Sequence, residues 1–173
     1  MIMRFKWLFL VDLDGTIWDH KDISSLDPPF KRVSDDKITD RNNVEVTLNK
    51  EVIKLVKWAY NHHALISTLS WNNPLKAYEA LKAFDLLKHF HYLAIEDTPR
   101  KDILIKKLLK KIEEEEGLTF TPDKIVYIDD RDIHIHDIYR NIGGIIFLHY
   151  SKDVHTMEHA IRIILDKTGL DRP

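Results

Sequence analysis

The segment Trp7-Leu8-Phe9-Leu10-Val11-Asp12-Leu13-Asp14-Gly15-Thr16 constrains this chain more than any other, because an apolar run of strand length stops abruptly in two carboxylates. A run this short reads as a buried strand. Side chains two apart on an extended segment share a side, so Asp12 and Asp14 converge just beyond the strand's carboxyl end, where open α/β sheets place their sites. Two nearby carboxylates repel and drive their proton affinities apart. One then stays ionised as a nucleophile while the other keeps a proton to donate. A divalent cation completes such an arrangement. Taken alone, the segment also fits a turn whose acids accept backbone hydrogen bonds and whose Gly15 supplies a positive φ. An EF-hand calcium loop does not fit, since its sixth and twelfth positions hold Ile17 and Ile23 where Gly and Glu are needed.

Strand and helix signals alternate after this first strand. Val52, Ile53, Leu55, Val56 and Ala59 recur at helical spacing over 50–61, with Asn49 placed as a cap. Residues 64–69 read as a buried strand, and Asn73-Pro74 opens a helix with Pro at its favoured first position. A strand at 92–95 precedes a long amphipathic helix over 99–116 that stops at Gly117. Then come a strand at 125–128, a short helix to about 141, the Gly143-Gly144 turn, a strand at 145–148 and a last helix over 154–167. Repeated βα units imply an α/β fold, a doubly wound and mostly parallel sheet with helices on both faces. The 173 residues suit one domain spanning 1–173. The exception to the pattern is 18–48, a polar stretch with Pro28-Pro29 and no helical period, in which Asn42-Asn43 and Val44-Glu45-Val46-Thr47 suggest a small β-hairpin folding as a flap over the mouth of the site.

Composition removes several function classes. Lys and Arg total 26 against 28 Asp and Glu, a net charge of −2, so nucleic acid and acidic membranes are not expected partners. Lys106, Lys107, Lys110 and Lys111 are followed at once by Glu113 to Glu116, the pattern of a solvated helix face. With no cysteine there is no disulfide frame and no thiolate chemistry, which fits a reducing interior. The first apolar run is too short to span a membrane and leads straight into Asp12. A soluble, cytoplasmic protein is expected, and an oligomer is compatible with the sequence.

Four strand ends carry polar residues suited to phosphate chemistry: Asp12 and Asp14, Ser70, Lys101 near the start of the third unit's helix, and Asp129-Asp130. Ser70 alone reads as a cap or turn residue, and Lys101 alone as one surface lysine among many, with Arg100 competing. In a parallel sheet these ends lie along one edge and can meet. A hydroxyl and an ammonium suit the oxygens of a phosphoryl group, and an acidic cluster suits Mg²⁺. His134 and His136 near these acids raise a zinc reading, but a two-residue spacing puts them on different sides of a helix.

In this order, Asp12-Leu13-Asp14-Gly15-Thr16, Ser70, Lys101 and Asp129-Asp130 resemble motifs one to four of the haloacid dehalogenase superfamily of phosphatases. Asp12-Leu13-Asp14-Gly15-Thr16-Ile17-Trp18, Asp27-Pro28-Pro29-Phe30, Asp40-Arg41 and Phe84-Asp85-Leu86 resemble its magnesium-dependent phosphatase family more closely. The resemblance implies that Asp12 takes the phosphoryl group as an aspartyl phosphate and that Asp14 protonates the leaving oxygen and later deprotonates water. It implies that Ser70 and Lys101 bind the phosphoryl group. It places Mg²⁺ on Asp12, the Asp14 backbone carbonyl and Asp130, with Asp129 close by. His134 stands where relatives often have Asn, and Trp71 where they often have Arg, which bears on substrate preference. Intervals too short for a cap domain imply an open site, with Trp18, Phe30 and Trp71 contacting the leaving group of an aryl phosphate, a phosphosugar or a phosphoprotein. The alternatives are a phosphotransferase or phosphomutase using the same intermediate, and a phospho-accepting receiver-like module. Receivers, however, carry the phosphorylated Asp, hydroxyl and Lys in a different strand order.

Overall fold

The computed structural model describes residues 4–170. Strand β1 (Trp7–Val11) is buried along its whole length because both of its faces are covered. Trp7, Phe9 and Val11 enter one apolar cluster while Leu8 and Leu10 enter the other. This is why the run is continuously apolar and does not alternate. Each of these side chains contributes about 1.5–3 kcal/mol by leaving water.

The remaining elements are β2 (Lys31–Ser34), β3 (Lys37–Thr39), β4 (Glu45–Thr47), α1 (Lys50–Tyr60), β5 (Ala64–Trp71), α2 (Pro74–Ala83), β6 (Tyr92–Glu96), α3 (Lys101–Glu116), β7 (Ile125–Asp129), α4 (Ile135–Asn141), β8 (Ile146–His149) and α5 (Met157–Thr168). The main sheet runs β6-β5-β1-β7-β8, all parallel. The α1, α2 and α5 helices cover the face carrying Phe9, and α3 and α4 cover the face carrying Leu8. The chain runs outward from β1 through β5 and β6, then returns to β7 on the other side, so β1 is the point at which the winding reverses. A crevice opens there at the strands' carboxyl ends. Register fixes the level at which side chains meet, since Val11 pairs with both Thr68 and Ile128.

The local signals mostly behave as expected. Asn73 accepts from the Lys76 N–H at 3.0 Å, and Gly117 ends α3 at φ 66°. Asn49 occupies the N-cap of α1 but makes no capping bond; its amide instead donates to the Thr16 carbonyl at 2.7 Å. Here a tertiary contact displaces a local one. The last helix begins at Met157 and not at 154, with Thr156 capping it through the His159 N–H.

Segment 18–48 departs from the expected hairpin. It forms a three-stranded antiparallel sheet, β2-β3-β4, whose Ile38 and Val46 are buried in the main core. Asp40 organises it, accepting from the N–H groups of Asp27, Asn42 and Val44 at 3.0, 2.8 and 2.9 Å. Asp27 and Asp40 therefore serve this small sheet. The part of 18–48 that reaches the cleft is Lys21, Asp22 and Ser24 around a single 3-10 turn (Ile23–Ser25), not the strands. No separate cap domain covers the cleft among the described residues.

Candidate active site

Asp12 follows β1 and sits almost wholly buried between β5 and β7. Lys101, the first residue of α3, sends its ammonium into the same pocket, 2.9 Å from Asp12 Oδ1, 2.8 Å from Asp129 Oδ2 and 3.0 Å from the Tyr127 hydroxyl. What reads in sequence as a surface lysine is thus among the larger fully buried side chains. Its neighbour Asp102 points elsewhere, binding Arg100 at 2.9 and 3.0 Å and Asn141 at 2.8 Å, so α3 is anchored on one side while Lys101 enters on the other.

Asp130 lies across the pocket. The Thr16 hydroxyl sits 2.9 Å from Asp12 Oδ2 and 3.2 Å from Asp130 Oδ1, and accepts the Asp130 N–H at 2.9 Å. Gly15, next to Asp14, adopts φ +72°, and a Cβ there would fall 2.5 Å from Asp130 Oδ2. A side chain at this position would strain the backbone and displace the Asp130 carboxylate.

Burial pushes the Asp12 carboxyl well above its usual range, against the pull of Lys101 and with Asp129 adding to the push. Burial acts the same way on Asp129, but there Lys101 and the Tyr127 hydroxyl outweigh it and hold the carboxyl down to about 2. Asp130 is raised by burial and by its neighbour Asp129. Oxygens of Asp12, Asp129 and Asp130 lie within 4.8 Å of one another. Two of these carboxylates share the Lys101 ammonium and the third has no cation beside it, so the cluster carries excess negative charge that a bound divalent cation relieves. An all-oxygen donor set suits a hard ion such as Mg²⁺. The Asp14 carboxylate is not in this group.

Asp14 faces the open cleft instead. Its Oδ1 accepts from Trp18 Nε1 at 2.9 Å and the Ile23 N–H at 3.0 Å, and its Oδ2 accepts from Asn72 Nδ2 at 2.9 Å. Burial raises its carboxyl, with Trp18 and Ile23 opposing. Ser70, buried on β5, accepts the Asn72 amide at 3.4 Å. Trp71, 41 % exposed, lines the cleft with Asn72, Lys21 and Arg131, its Nε1 3.3 Å from Asp97 Oδ1.

Two expected substrate contacts are corrected. Trp18 is fully buried, its ring stacked 6.0 Å from Phe84, because its one polar atom finds a partner in Asp14. Phe30 packs half-buried against the main core and does not line the cleft. His134 is outside the acidic cluster; its ring stands edge-on to Trp71, and burial, with Lys101 nearby, holds it neutral down to about 4. Asn72 and Tyr127 escaped the sequence reading, and Thr16 stands in its first motif with no role assigned. Tyr127 lies two residues before Asp129 on β7 and Asn72 two residues after Ser70, just past the end of β5, and that period of two is the signal that could have found them.

The family model described as Acid Phosphatase matches residues 5–159. The chain belongs to the acid phosphatase family. This acid phosphatase family chain is similar to magnesium-dependent phosphatase 1 of Homo sapiens, with 26% identity over 136 residues, 78% of this chain and 73% of the relative. Its fold is similar to that of the N-terminal part of a Bacteroides fragilis protein containing a phosphatase domain complexed with Mg (TM-score 0.61, 16% identity, 93% of this chain); this chain spans 40% of that one. It is also similar to a haloacid dehalogenase-like hydrolase of Streptococcus pneumoniae (TM-score 0.59, 12% identity, 94% of this chain and 92% of that one). The chain thus falls in a phosphatase family and not among receiver modules, and its fold is similar to that of haloacid dehalogenase-like hydrolases. No helix among the described residues is long and apolar enough to cross a membrane.

Proposed function

We propose that this phosphatase is a Mg²⁺-dependent phosphomonoesterase that works through a phosphorylated Asp12. The observation that carries the reading is the cluster of Asp12, Asp129 and Asp130, the first two of them buried on the ammonium of Lys101, with Asp14 set apart on the cleft side. Asp12 and Asp130 would hold the metal, which supplies charge neutralisation to the pocket. Both oxygens of Asp129 are already engaged, by Lys101 and Tyr127 on one and the Arg131 N–H on the other, so its work is to hold Lys101.

In the first step a carboxylate oxygen of Asp12 forms a bond to phosphorus as the phosphorus–ester oxygen bond breaks, and Asp14 delivers its proton to the departing oxygen. The charge of Asp12 passes to the phosphoryl oxygens, where the Lys101 ammonium and the Ser70 hydroxyl meet it. In the second step Asp14, now a carboxylate, takes a proton from a water that attacks phosphorus; the bond to Asp12 breaks, and phosphate leaves. An open cleft favours water over a second organic acceptor, and so hydrolysis over phosphoryl transfer between substrates. Trp71 at the mouth favours leaving groups with an apolar or aromatic face, including aryl phosphates and phosphorylated side chains on a protein.

Borohydride reduction of enzyme quenched during turnover tests this directly. Reduction should convert residue 12 alone to homoserine, seen by peptide mass spectrometry. A mark on another residue, or none, overturns the intermediate.

A further inference from the structure

We propose that Trp18 is a positioning residue for Asp14, and that the start of segment 18–48 acts as a bracket for the proton donor. The inference rests on the assignment of Asp14 as proton donor. Both donors to Asp14 Oδ1, the Trp18 indole and the Ile23 N–H, come from this segment, at 2.9 and 3.0 Å. A carboxyl oxygen with two donors on its lone pairs has no room for a proton, so Oδ2 is left as the oxygen that carries the transferable one. Oδ2 meets only the Asn72 amide, at 2.9 Å, in the cleft. The bracket therefore decides which oxygen faces the ester.

The bracket is itself held on several sides. The Gly15 N–H donates to the His20 carbonyl at 3.0 Å, the Asp19 N–H to the Thr47 carbonyl at 2.9 Å, and Lys76 Nζ on α2 to the Ser24 carbonyl at 2.8 Å. Trp18 is fully buried against Phe84, so its indole N–H has one fixed direction. A buried indole needs a partner for that N–H, and among the described residues it finds one in the proton donor.

The variant Trp18→Phe keeps the ring on Phe84 and removes the N–H. The comparison is kcat/KM, which reports the step that expels the leaving group, for p-nitrophenyl phosphate and for a primary alkyl phosphate. An alkoxide needs the proton and p-nitrophenolate hardly does, so the variant should lose about tenfold or more on the alkyl ester and less than about threefold on the aryl ester. Equal losses on both, or none, overturn the proposal. Asp14→Asn should show the same bias, and more strongly. If it shows none, the assignment of Asp14 as donor fails, which is a separate result from a failure of Trp18 alone. Should Trp18→Phe not fold, the indole N–H signals of a Trp71→Phe background give a second reading. Trp7, Trp18 and Trp58 remain there, and adding Asp14→Asn should move one of the three signals; three unmoved signals overturn the proposal.

Discussion

The ends of β1 and β7 look alike in sequence, each an apolar strand closing in two acids, yet the structure gives the two pairs opposite divisions of labour. At β1 the acids are two apart, with Leu13 buried between them, and they separate. Asp12 turns inward to Lys101, and Asp14 turns to the cleft under three neutral donors. At β7 the acids are adjacent. Asp129, still in the strand, faces Lys101 and Tyr127, while Asp130 crosses to the Thr16 hydroxyl with both its carboxylate and its N–H. On the proposed mechanism one pair reacts and the other holds charge in place. The difference lies in the partners, since a lone carboxylate has the same chemistry at either strand end.

The sharpest way to break that comparison is to make the reacting end inert. Asp12→Asn should reduce turnover by about 10⁴-fold or more with the fold retained, because an amide does not attack phosphorus. Activity above a few per cent of wild type, with circular dichroism unchanged, would remove Asp12 as nucleophile. Next in size, Lys101→Met leaves Asp12 and Asp129 buried without their shared cation, and urea unfolding in EDTA at neutral pH should register a loss of about 3–5 kcal/mol. A loss no greater than that of a surface lysine would mean that the two ends do not share it.

The holding end is tested through the metal. EDTA should abolish activity and Mg²⁺ restore it, and Asp130→Ala should raise the Mg²⁺ concentration for half-maximal rate about tenfold or more. His134→Ala should move it by less than about twofold; the reverse order would reopen zinc. Smallest of all, Trp71→Ala should raise KM for bulky aryl phosphates about three- to tenfold and leave the Mg²⁺ requirement unchanged, which titration at two substrate sizes would check.

How much of this was legible depended on the range of the interaction. The strand β1, the Asn73-Pro74 helix start and the Gly117 stop are local, and they stand where the pattern put them. The small sheet within 18–48 was only half legible. Its β4 strand follows Asn42-Asn43, but β2 is fully exposed and carries no alternation to read, so the third strand had no signature. Trp18 was misplaced for a related reason. A tryptophan next to two carboxylates reads as a substrate platform until its single N–H is seen bonded to Asp14 inside the core.

The sequence by itself determined the alternation of strands and helices, the parallel sheet and the acids, hydroxyl and lysine at its strand ends, because apolar period, turn residues and the order of motifs are all written along the chain. Only the tertiary structure decided what each group does. Lys101 becomes a buried counter-ion through the packing of α3 over β5 and β6, Gly15 is crowded by Asp130 arriving from far along the chain, and Asp14 is singled out by an indole held against Phe84. Charge, burial and hydrogen bonding at a site are set by neighbours in space, and those neighbours are distant in sequence.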